Sequence, residues 1–217
     1  MSGKSVTIVD YGIGNLYSVK RAFEVCGAED IIISGDPATI LAAERVVLPG
    51  VGSFADGMRG LRECGLDLAI KEFGKSGRPL LGICLGMQLF ASTGREFGDW
   101  EGLDLIPGSV EEIPRQSHTG QPLKLPFIGW ASLDQPQGVS WDNSVLSGCD
   151  QTDYIYLVHS FQFKPAVTDD LLATYRRNDG QITAAVRRGN ITGLQFHPEK
   201  SGAVGMGVLT SFLKQQC

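Results

Sequence analysis

Residues 80–90 read Leu-Leu-Gly-Ile-Cys-Leu-Gly-Met-Gln-Leu-Phe, an apolar run with one thiol, Cys84, at its middle and a glycine two positions to either side. The run opens like a buried strand, 79–83, and continues like a helix, 85–92. A cysteine at that junction stands at the carboxyl end of a strand, where ligands gather in open parallel sheets. Its neighbours at 82 and 86 must be small if the backbone folds tightly past them. Gly-x-Cys-x-Gly is in this sense the thiol counterpart of the Gly-x-Ser-x-Gly nucleophile elbow. The first N–H groups of the following helix favour a thiolate and can stabilise an oxyanion when sulfur attacks a carbonyl. A buried structural cysteine in a glycine-rich strand fits the same run. Catalysis therefore requires a partner elsewhere in the chain.

The pattern around this run decides the fold. Val6–Val9 is a β-branched strand, and Asp10–Asn15 a glycine-bearing turn. Leu16, Val19, Phe23 and Cys26 follow at helical spacing, with Gly27 as a stop. Ile31–Ile33 is a second strand, and Asp36-Pro37 reads as an N-cap followed by proline at the first helical position. Val46–Leu48 is a third strand, leaving through Pro49-Gly50-Val51-Gly52-Ser53, and helices occupy 54–64 and 66–73. Alternating strand and helix predict a parallel sheet covered on both faces. The second half is richer in strands, near 108–113, 123–133, 154–163, 171–177, 181–188 and 190–196. Arg188-Gly189-Asn190 marks a hairpin corner, and 201–214 a glycine-containing helix. Without repeats, linkers or low-complexity tracts, one α/β domain over 1–217 is the simplest reading.

Bulk composition excludes several functions. With 24 acidic against 19 basic residues the net charge is −5, no footprint for a nucleic acid. No apolar stretch approaches the roughly 20 residues needed to span a bilayer. The start, MSGKSVTIVDYG, lacks the apolar segment of a signal peptide, so a cytoplasmic protein is expected. The five cysteines, Cys26, Cys64, Cys84, Cys149 and Cys217, are scattered without a Cys-x-x-Cys pair. That spacing predicts neither a disulfide framework nor a structural zinc site.

A thiol nucleophile needs a base, and there are three histidines. His118 falls in a polar loop. His159 ends the apolar run 154–158 and suits either core or site. His197 stands in Gln195-Phe196-His197-Pro198-Glu199, where the proline biases it towards extended geometry. Residues i and i+2 of an extended chain share a side, so Glu199 can hold one ring nitrogen of His197 and leave the other for a thiol. Taken alone, the same segment reads as a surface turn or as a metal-binding pair with no further ligand in view. Elbow and His-x-Glu each supply what the other lacks.

Together, Gly82–Gln88 and Phe196–Glu199 resemble the class I glutamine amidotransferases. Tyr11–Val19, Leu48–Phe54, Val158–Ser160 and Gln195–Ser201 narrow the resemblance to the glutaminase subunit of imidazole glycerol phosphate synthase. The resemblance implies a flavodoxin-like α/β fold, a mostly parallel central sheet with extra antiparallel strands in the second half. It implies L-glutamine as substrate, no cofactor and no metal, and a triad of Cys84, His197 and Glu199. Backbone amides at Leu85 and in Gly50-Val51-Gly52 would hold the oxyanion. Gln88, Glu96 and the Ser160-Phe161 backbone would hold the substrate's polar groups. Free ammonia is largely protonated in neutral water, so a glutaminase feeding a synthesis needs a shielded acceptor. The family's acceptor is a barrel cyclase subunit in histidine biosynthesis, and Asn15, Trp130, Tyr156 and Lys200 match positions at that interface. One block departs from the family pattern: Phe127 and Ala131 flank Ile128-Gly129-Trp130 where polar residues are usual. That departure leaves open a paralogous glutaminase serving another synthase, such as one amidating a surface sugar. A stand-alone cysteine hydrolase is the further alternative.

Overall fold

A computed structural model describes residues 4–117, 119–178 and 180–216. His118 and Cys217 lie outside them. The chain runs β1 (Ser5–Val9), α1 (Leu16–Val25), β2 (Asp30–Ser34), α2 (Pro37–Ala42), β3 (Val46–Gly50), α3 (Phe54–Glu63), α4 (Leu66–Lys75), β4 (Leu80–Cys84) and α5 (Leu85–Leu89). It continues through β5 (Thr93–Gly94), β6 (Trp100–Glu101), β7 (Gly108–Glu112), β8 (Phe127–Asp134), β9 (Tyr154–His159) and β10 (Phe161–Pro165). The last elements are β11 (Leu171–Arg177), β12 (Gly180–Arg188), β13 (Ile191–Leu194) and α6 (Gly202–Leu213).

A nine-stranded sheet has the order β2-β1-β3-β4-β13-β12-β11-β8-β9. The ladders from β2 to β13 are parallel and those from β13 to β9 antiparallel. Side-chain alternation explains the layers. Val6, Ile8, Val47, Leu81 and Ile83 face Phe23 of α1 and Val208 and Phe212 of α6. Val9, Val46, Leu48 and Leu80 face Ile40, Phe54, Met58 and Phe73 of α2, α3 and α4. Each of those aromatic and aliphatic side chains, fully buried, contributes about 2 kcal/mol or more to the core. The capping read from sequence is present: Asp36 accepts the N–H of Ala38 and of Thr39.

Three boundaries differ from the sequence reading. The strand expected over 154–163 breaks at Ser160. β9 stays in the large sheet, while β10 joins a second sheet of order β10-β7-β5-β6. The helix expected over 85–92 ends at Leu89, and the Phe90 and Ala91 N–H groups close turns onto the Met87 and Gln88 carbonyls. The strand expected from 123 starts at Phe127. The helix expected over 201–214 is present as α6 in spite of its glycines, and at Gly205 a Cβ would strike the Pro198 carbonyl. The glycine makes the packing of α6 on the preceding turn possible.

Candidate active site

Cys84 closes β4 and opens α5 with φ 55° and ψ −109°, a region L-residues seldom occupy. The bend is packed as well as sharp. A Cβ at Gly86 would collide with the Leu48 carbonyl oxygen, and one at Gly82 would come within 2.7 Å of the Met87 nitrogen. Gly50 has no room either, because the Tyr11 hydroxyl lies over it. That hydroxyl donates to the Pro49 carbonyl at 3.0 Å. In-register pairing of Gly50 with Cys84 sets the Gly50-Val51-Gly52 loop beside the sulfur.

Parallel pairing also brings in His197. β13 lies next to β4 with Leu194 opposite Ile83, three residues before His197. The His197 N–H then donates to the Tyr156 carbonyl at 3.0 Å. Ser201 Oγ accepts the Tyr156 N–H at 3.0 Å and donates to the His197 carbonyl at 2.7 Å. His197 Nδ1 is 2.9 Å from Glu199 Oε1, with both side chains almost fully buried. Among the described residues Nε2 has no hydrogen-bond partner. Burial works against charge on the ring, but the Cys84 sulfur and the Glu199 carboxylate outweigh it and push His197 up to about 9.

Cys84 and His197 open into one cavity of about 440 Å³. Val51, Gly52, Leu85, Gln88, Glu96, Ser160 and Phe161 line it, together with Pro126, Val158 and His159. Gly50 lies beneath, under the Tyr11 hydroxyl, and Glu199 beside His197 on its Nδ1 side. Glu96 Oε2 accepts the Phe54 N–H at 2.7 Å, and burial raises this carboxyl above its ordinary range. Gln88 Nε2 donates to the Phe161 carbonyl at 3.1 Å and to Gln195 Oε1 at 3.0 Å. The arrangement can add a thiolate to a carboxamide, hold the resulting oxyanion and protonate a leaving amine. Among the described residues, no group of three or more His, Cys, Asp or Glu is placed to hold a metal ion. None of their helices is long and apolar enough to cross a membrane.

Residues 7–215 match the family model for glutamine amidotransferase class-I. The chain belongs to the class-I glutamine amidotransferases. A relative in Legionella pneumophila strain Paris, imidazole glycerol phosphate synthase subunit HisH 1, is 45% identical, over 97% of this chain and 99% of that protein. The HisH subunit of Geobacillus kaustophilus is 42% identical, over 96% of this chain and 95% of its own. Within the class the chain therefore belongs with the HisH subunits. The PurLQS structure from Thermotoga maritima shares the fold, with TM-score 0.71 and 18% identity, covering 98% of both chains.

In this amidotransferase the positions expected at an interface divide. The Trp130 and Tyr156 rings meet edge-on at 5.7 Å, and Lys200 Nζ lies 5.8 Å from the Tyr156 ring centre. Tyr156 in turn lies 6.5 Å from the His197 ring, and Trp130 is half exposed. Asn15 has a local task, accepting the Ser18 N–H as the N-cap of α1. Phe127 stacks on Tyr175 at 5.4 Å, and Ala131 is buried.

Pro126 and Gln195 escaped the sequence reading as site residues. Pro126 carries no chemical signal. Gln195 was visible beside His197, but its orientation is a tertiary property. His159 is settled as a cavity residue. Burial first, offset only in part by its bond to the Phe161 carbonyl, pushes it down to about 4. Among the described cysteines all four are free, and burial raises Cys149 to about 11.

Proposed function

We propose that this amidotransferase is the glutaminase subunit of an imidazole glycerol phosphate synthase. It hydrolyses L-glutamine and passes ammonia to a barrel cyclase subunit, in histidine biosynthesis in the cytoplasm. Cys84 attacks the side-chain carboxamide carbon, and the carbonyl electrons move to oxygen. The Leu85 N–H and an N–H of the Gly50–Gly52 loop receive that oxyanion. His197 gives the Nε2 proton to the departing nitrogen, leaving a glutamyl thioester. The neutral ring then takes a proton from water, which attacks the thioester and releases glutamate. Glu199 keeps the imidazole oriented and supports its charged form. Gln88, Glu96 and the Ser160-Phe161 backbone hold the polar end of the substrate, and Asn15, Trp130, Tyr156 and Lys200 meet the cyclase.

One observation carries this reading: the sulfur and the Glu199-held imidazole open into the same cavity in a chain of the HisH family. The test is glutamate release from glutamine, measured alone and with a barrel cyclase and its nucleotide substrate. A steep rise only with both supports the reading. Turnover indifferent to them removes the synthase assignment. A second reading, a paralogous subunit serving another synthase, rests on Phe127 and Ala131. It predicts no co-elution with a histidine-pathway cyclase.

A further inference from the structure

Buried polar side chains behind the cavity form one hydrogen-bonded run that ends on the nucleophile. The Tyr175 hydroxyl is 2.9 Å from His159 Nε2, and His159 Nδ1 is 2.8 Å from the Phe161 carbonyl. The same carbonyl takes Gln88 Nε2, whose amide also reaches Gln195 Oε1. Gln195 Nε2 is 3.8 Å from the Cys84 sulfur. Gln88, Gln195, His159 and Tyr175 are all buried.

The polarity of this run follows from one atom. A carbonyl oxygen can only accept, so His159 carries its proton on Nδ1 and Gln88 turns its NH2 group to Phe161. The second hydrogen of that NH2 group requires an acceptor, so the oxygen of Gln195 faces Gln88. The nitrogen of Gln195 is left facing the sulfur. Flipping either amide would set two acceptors or two donors against each other in a buried place. A donor aimed at sulfur stabilises its anionic form and fixes the direction in which it points.

We infer that Gln195 is a positioning residue: its side-chain amide, oriented by Gln88, donates to the Cys84 sulfur, favours the thiolate and restrains it towards the cavity. The inference rests on Cys84 as the nucleophile, and its test reads the thiol directly. Alkylation of Cys84 by iodoacetamide is followed across pH in the full chain, with peptide mapping to separate it from the exposed Cys64. Gln195→Met keeps the volume and removes the donor. Gln195→Glu keeps an acceptor for Gln88 but sets negative charge against the sulfur. The expected result is a rate profile displaced to higher pH by about one unit in Gln195→Met, and further in Gln195→Glu. At neutral pH that is about a tenfold slower reaction, matched by a fall in kcat with KM for glutamine little changed. If Gln195→Met fails to fold, Gln195→Glu carries the test. Profiles that superimpose on that of the unaltered chain overturn the inference. Labelling of unaltered Cys84 by a diazoketone analogue of glutamine tests the nucleophile separately. Absence of that label would remove the glutaminase reading and leave the iodoacetamide result interpretable.

Discussion

Two walls of one cavity each bury a histidine, and the two rings are driven in opposite directions. On the β13 side His197 meets a carboxylate and a sulfur, and rises to about 9. On the β9 side His159 meets a carbonyl and a phenol, and falls to about 4. Burial disfavours charge at both sites, so partners decide the outcome. The first wall favours a protonated ring. The second holds a neutral ring that fixes backbone.

The sharpest way to break this contrast is at the reactive wall. Cys84→Ala should reduce glutamine hydrolysis by a factor of about 10⁴ or more, while a cyclase partner continues to work on added ammonium salt. Residual glutamate release near the original rate would deny Cys84 its role. Glu199→Gln removes the charge that helps His197 stay protonated. Hydrolysis should fall by a factor of about 10²–10⁴, and the alkaline limb of the pH profile should move down from about 9. An unmoved limb would show that Glu199 does not support the imidazolium.

The structural wall is tested by stability. Unfolded histidine takes up a proton near 6.5, whereas folded His159 resists until about 4. Acid therefore favours the unfolded chain across that window, by about 3 kcal/mol at its lower end. His159→Gln should flatten this loss in urea titrations at pH 7 and pH 4.5, and equal slopes in both proteins would refute it. His197 works with the other sign: its contribution is complete below 6.5 and disappears as pH rises through about 9. The smallest expected effect is that of Tyr175→Phe, which leaves His159 Nε2 without its donor and should cost about 1–2 kcal/mol in thermal or urea unfolding. No loss at all would mean that the hydroxyl contributes nothing to the wall.

The two walls also differ in how legible they were. The placement of Cys84, His197 and Glu199 could be read because it depends on short spacings, glycines at ±2 and a carboxylate at i+2 of an extended chain. The β9 wall has no such local code. His159 and Phe161 lie in a stretch of strand character, and nothing in the residue types at 159–161 announces that the chain changes sheets at Ser160. The two-residue strands β5 and β6 are too short to show a period. The orientation of Gln195 depends on the register of β13 against β4 and on which way Gln88 turns, and both are set by residues far away in the chain. Parallel layering was legible from alternation, and the hairpin corner at Arg188-Gly189-Asn190 joins β12 to β13 as expected, but the order of the other antiparallel strands was not visible.

The backbone at Cys84 carries an evolutionary corollary. Left-handed geometry of this kind costs a residue with a Cβ about 1–3 kcal/mol, and glycine would avoid most of that. A descendant released from glutamine chemistry could become sturdier through a single replacement, Cys84→Gly. Drift there would erase the thiol, and keeping it requires selection for what the sulfur does.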